Sequence, residues 1–106
     1  MNNPTLFGQV KRKLNITWDD AETTKRIEDI IEMAIPDLKH KLGIVDDEFD
    51  FAKPSAENKL FLAYCLYEFN HCANEFDVNY SNDIAQIRQK NEVKYFLANG
   101  GGANET

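Results

Sequence analysis

The sequence predicts an all-α fold: a small bundle of about four helices, a long loop after the first long helix, and a flexible C-terminal tail. Three observations carry this. Apolar residues recur at helical spacing along most of the 106 residues. Asn-Pro, Gly and Ser stand where helices start and stop. Basic residues close the first candidate helix and acidic residues open the second, as the helix macrodipole favours. One domain is expected over residues 1–99, with residues 100–106 as the tail.

Asn3-Pro4 suits an N-cap followed by proline at the first helical position. Leu6, Phe7, Val10 and Leu14 then make a short one-sided stripe, and Lys11, Arg12 and Lys13 form its basic end. Thr17 with Asp20 three residues on is close to a capping box, with Asp in place of Glu. Asp19, Asp20 and Glu22 load the next first turn with negative charge. Ile27, Ile30, Ile31, Ala34, Ile35, Leu38 and Leu42 follow as a core-facing stripe, and Gly43 is the stop. Pro36 removes one ladder hydrogen bond, which predicts a kink or a break into two helices.

Residues 44–55, IVDDEFDFAKPS, read as a loop. Val45, Phe49 and Phe51 are expected to tuck inward while Asp46, Asp47, Glu48 and Asp50 stay wet. These acids lack the glycine turn and ligand spacing of an EF-hand. Ser55 caps a helix expected to run to about Tyr80. A last helix follows, capped by Ser81 or Asn82.

The totals bound the function. A net charge of −6 argues against a broad nucleic-acid-gripping surface. The opening MNNPTLFGQVKRK lacks an apolar signal-peptide region, and no apolar run is long enough to span a membrane. Two cysteines make no disulfide scaffold, which points to a reducing compartment.

The stretch KLFLAYCLYEFNHCANEF, residues 59–76, is apolar nearly all round when wound as a helix. Neighbouring helices of so small a chain can hardly cover it, so a partner subunit is the simplest source of cover. Cys65 and Cys72 are about 10 Å apart along a continuous helix, too far for a disulfide. His71 points about 100° away from Cys72, so no metal site forms there. Buried thiols acting as small hydrophobes are the better reading. Glu68-x-x-His71 and Asp37-x-x-His40 echo a di-iron signature, but His40 lies opposite the isoleucine stripe, and His71 reads as a core-edge histidine with one hydrogen-bond partner. No catalytic grouping or phosphate loop is present at a recognisable spacing. No enzyme, cofactor or metal is expected.

The last helix carries apolar residues on two sides. Ile84, Ile87 and Tyr95 lie to one, Val93, Phe96 and Leu97 nearer the other. It has two things to touch unless it breaks near Asn91. Arg88, Lys90 and Lys94 set it apart from the acidic remainder and suit an acidic neighbour.

Two segments, KLNITWDDAETTKRIEDIIEMAIPDLKHKLGI and LFLAYCLYEFNHCANEFDVNYSNDIAQIR, resemble the head–tail connector (adaptor) proteins of tailed bacteriophages. The likeness covers residues 10–97 and rests on Ile16-Thr17-Trp18-Asp19-Asp20, on LAYCLYEFN and on NDIAQIRQKNEV. Pro36 departs from that family's uninterrupted helix. The resemblance implies a structural virion assembly protein, not an enzyme. It would form a homo-oligomeric ring of about twelve copies beneath the portal and extend the DNA channel. Its partners would be the portal protein, a tail-side head-completion (stopper) protein and itself. DNA would pass without sequence-specific binding, and no membrane is involved. The location would be the virion, and host cytoplasm during assembly.

On this reading Trp18, Tyr64, Tyr67 and Phe69 are candidates for the subunit interface, though Tyr64 and Phe69 fit core positions equally well. Arg88, Lys94, Tyr95, Phe96 and Leu97 are candidates for the portal, and Phe49 and Phe51 for the tail-side partner. The rival reading is a small all-α regulatory or nucleic-acid-associated domain, with residues 84–94 nearest to a basic recognition helix.

Overall fold

The computed structural model describes residues 5–98, and these form five helices: α1 (Leu6–Lys13), α2 (Ala21–Leu42), α3 (Ala56–Phe69), α4 (Ala73–Asn79) and α5 (Ser81–Ala98). No strand occurs among the described residues. The fold is all-α. The tail at 100–106 and the Asn3-Pro4 cap lie outside the described residues.

Side-chain caps start three of the helices. Thr5 caps α1, accepting a 2.9 Å bond from the Gly8 amide. Asp20 caps α2, accepting from the Thr23 amide at 2.8 Å and the Thr23 hydroxyl at 3.0 Å. The cap is therefore Asp20 and not Thr17, because Asp20 is the extended residue whose carboxylate reaches the third amide of the helix. Ser55 caps α3 through the Asn58 amide.

Three helices end in the same way. Asn15, Gly43 and His71 take the left-handed conformation after α1, α2 and α3. In each case the left-handed residue's amide and the next one fold back onto the last turn: Asn15 to Arg12 and Ile16 to Lys11; Gly43 to His40 and Ile44 to Lys39; His71 to Glu68 and Cys72 to Tyr67. This is the Schellman closure. It corrects the expected helix from Ser55 to about Tyr80, which stops at Phe69 and restarts at Ala73. Pro36, by contrast, does not divide α2. It sits on the exposed side, where the Glu32 carbonyl it leaves unpaired is open to water.

The core is built around α3, which packs on α1, α2 and α4. Phe61 and Cys65 are fully buried there, with Ile27, Ala34, Leu38 and Leu42 of α2, Val10 of α1 and Phe76 of α4. The chain thus covers much of α3 itself, while Leu62, Leu66, Tyr67 and Phe69 stay only partly buried. The break at residues 70–72 is the reason: it folds α4 back so that Phe76 meets Tyr64 and Tyr67 edge to face.

The 44–55 loop docks by its aromatics. Phe51, 2% exposed, stacks on Phe61 at 4.8 Å, and Phe49 meets Phe51 edge-on at 5.0 Å. Gln9 and Asn58 lock it from below: Gln9 donates to the Ala52 carbonyl, and the Asn58 amide donates to Gln9 and to the Phe51 carbonyl. Val45 is exposed, contrary to expectation, because Ile44 and Phe49 occupy the inward positions beside it. The four acids of the loop are exposed.

Candidate protein-binding surface

The surface is assembled at the far end of α5. Three polar residues anchor that helix. Arg88 donates to the carbonyls of His40 (3.0 Å) and Lys41 (3.2 Å), and buried Asn91 donates to that of Leu42 (2.9 Å). These carbonyls belong to the last turn of α2, where helix carbonyls lack amide donors four residues on; that of His40 also accepts from the Gly43 amide. Lys90 pairs with Glu57 at 3.2 Å. Glu57 is nearly buried in the first turn of α3. Burial works against its charge, but its own amide, Lys90 and Asn91 outweigh that and hold the carboxyl below the ordinary glutamate range.

Beyond Asn91 the helix continues without a break to Ala98, and its side chains lose their cover. Val93, Phe96 and Leu97 are 52%, 54% and 67% exposed. Tyr95 turns the other way. With Lys94, Asn91, Ile44, Val45 and Phe49 it lines a groove between α5 and the loop that follows α2.

The candidate residues therefore fall into three groups. Lys94, Tyr95, Phe96 and Leu97 lie at the exposed end of α5, while Arg88, also exposed, bends onto the end of α2 and pairs with Glu92 at 3.1 Å. Phe49 shares a groove with Lys94 and Tyr95, so residues read as meeting different partners come together on one side; Phe51 is core. Of the remaining four, Trp18 is half-exposed in the connector before α2. Tyr64 is 7% exposed and its hydroxyl donates to Asp37 at 2.6 Å; burial, then Asp37, raise its pKa. Tyr67 packs against Phe76 and Tyr80, and Asn79 donates to its hydroxyl. Phe69 lies under the Arg26 guanidinium at 4.0 Å.

His71 is exposed, not at the core edge, because its left-handed backbone turns it out of α3. Its Nε2 lies 3.1 Å from the Arg26 guanidinium, which also donates to the Phe69 carbonyl. Cys65 and Cys72 are free thiols, and burial pushes the Cys65 thiol up to about 12. No cluster of metal-ligating side chains occurs among the described residues. Nor is any helix long and apolar enough to cross a membrane there.

The partners of Glu57, Asn91, Asp37 and Arg26 were not legible in the sequence, although Asp37 and Asn91 drew notice there for other reasons. Glu57 carried a faint signal as an acid in a first turn, but its partner is 33 positions away. No protein-family model, curated protein or solved structure matches the chain.

Proposed function

We propose that this chain is a structural head–tail connector of a tailed bacteriophage, a ring adaptor that binds the portal through the end of α5 and a tail-side protein on another surface. One observation carries the docking part. Val93, Phe96 and Leu97 stand exposed on a helix that is anchored one turn earlier by Arg88, Lys90 and Asn91. An apolar helix end held rigidly at its base suits insertion into a partner's groove, since little order has to be gained on binding. The resemblance in the isoleucine-rich and LAYCLYEFN segments supplies the identity of that partner. The acidic balance suits a channel wall that lets DNA slide.

The rival reading, a basic recognition helix, fares worse on the same residues. Arg88 and Lys90 are occupied within the chain by α2 carbonyls, Glu92 and Glu57. The test is to mix the purified chain with the portal protein of the same phage and image the product by electron microscopy. The reading expects an added ring of density on one end of the portal. A portal left bare at saturating chain concentration contradicts it.

A further inference from the structure

The ring reading leaves open which surfaces of neighbouring copies meet. Two clefts on opposite chemistry answer this. The first lies between α3 and α5. Leu60, Leu62, Ala63 and Ile87 form its floor, and Lys13 and Lys59 stand on its rim, with Asp83 on the α5 side. Both lysines are exposed, and neither makes an ion pair or side-chain hydrogen bond among the described residues. In a chain of net charge −6 that leaves two cations without a local partner beside apolar surface.

The second cleft lies along α2. Glu28, Ile31, Glu32 and Ile35 follow at i, i+3, i+4 and i+7, a single helical stripe, with Phe7 of α1 at its edge. Ile31 and Ile35 are only half-buried. Glu28 and Glu32 are exposed and make no ion pair; they only add to the field that Asp29 chiefly imposes on Lys25.

We infer that the α2 stripe of one copy docks into the α3–α5 cleft of the next, with Glu28 and Glu32 meeting Lys13 and Lys59 around an apolar centre. The complementary charges choose a second copy as the occupant and set the register, while the partly open Ile31, Ile35 and Leu62 supply apolar contact at the centre. The two clefts share no residue, so the contact is heterologous. Each pair keeps one free cleft and one free stripe, and the contact repeats head to tail until it closes. This inference rests on the ring reading and proposes a subunit contact other than Trp18, Tyr64, Tyr67 and Phe69.

Charge reversal tests it. Lys13→Glu/Lys59→Glu makes both surfaces acidic, and Glu28→Lys/Glu32→Lys makes both basic. Assembly is followed by analytical ultracentrifugation over a concentration series, alone and with portal, and folding by circular dichroism. Each folded variant alone should associate at least about tenfold more weakly than wild type. An equimolar mixture of the two should recover assembly, because every junction in an alternating ring then pairs opposite charges. Variants that assemble alone as wild type does overturn the contact but leave the ring reading standing. A mixture that fails to recover, with both variants folded, also overturns the contact. A wild-type chain that stays a single copy at every concentration and on the portal overturns the ring reading, and the contact with it.

Discussion

The side chain of Asn91 donates a 2.9 Å hydrogen bond to the main-chain carbonyl of Leu42, the last residue of α2. Asn91 is buried, and through Glu57 the same amide also touches the start of α3. One residue of α5 thus closes the end of one helix and the beginning of another. Removing it leaves a buried carbonyl unpaired. Asn91→Ala should cost about 1–3 kcal/mol in urea unfolding, whereas Gln89→Ala on the exposed face should change stability by less than about 0.5 kcal/mol. Equal midpoints would mean that α5 is not anchored there.

The left-handed residue after α3 is a histidine, and side chains with a Cβ are strained in that conformation. His71→Gly should relieve this and raise stability by about 1 kcal/mol, even with the Arg26 contact gone. At the equivalent place after α2, Gly43→Ala should lower stability by about 1–2 kcal/mol. There a Cβ would also meet the Arg88 side chain at 3.3 Å. Thermal melts of the two variants should shift in opposite directions; a drop for His71→Gly would show that the Arg26 contact outweighs the strain.

Acid should weaken the α3–α5 junction. The Glu57 carboxyl titrates lower in the folded chain than in the unfolded one, whose ordinary value is 4.5. The unfolded chain takes up the proton first as pH falls. The stabilising contribution is therefore complete above the unfolded value and is lost as pH falls through the folded value. Glu57→Gln should be less stable than wild type near pH 7 and should lose less stability on acidification. Unfolding curves at several pH values check this; parallel pH profiles would remove Glu57 from the account.

The isoleucine stripe makes its own demand. Leu38 is fully buried, and Leu38→Asp places a carboxylate among apolar side chains, a cost of about 3–5 kcal/mol that should unfold the domain. Lys41 lies off the stripe and looks silent in the sequence, but it pairs with Asp77 of α4 at 3.1 Å. Lys41→Asp should therefore cost about 1 kcal/mol, by opposing Asp77 and by placing an acid at the C-terminus of α2. Circular dichroism of both variants distinguishes a lost fold from a shifted midpoint.

These residues also mark where the sequence was legible. The α2 stripe, the Gly43 stop and the Ser55 cap could be read because each is a local pattern with a fixed period or a preferred residue. The end of α3 could not, since His71 fills a position usually held by glycine or asparagine, and what supports it there is Arg26, 45 positions earlier. Asn15 ends α1 in the same conformation and does carry the preferred residue type. The all-round apolar character of residues 59–76 had two solutions, a partner or a chain that folds back. The break at 70–72, which brings Phe76 onto Tyr64, supplies the second for part of the helix, and no local pattern announces it. For the candidate surface, the two-sidedness of α5 was visible in its spacing. Its anchoring was not, because Asn91–Leu42 and Lys90–Glu57 join residues 49 and 33 positions apart.

The docking claim is tested most directly by a chain that ends at Glu92. It keeps Arg88, Lys90 and Asn91, and with them the joints of α5 to α2 and α3, but lacks exposed Val93, Phe96 and Leu97. The measurement is co-sedimentation of the full and shortened chains with portal-containing capsids, alongside their melting curves. The account predicts that the shortened chain folds with nearly the full chain's midpoint and stays in the supernatant while the full chain pellets. A shortened chain that folds and still pellets with the capsids contradicts it.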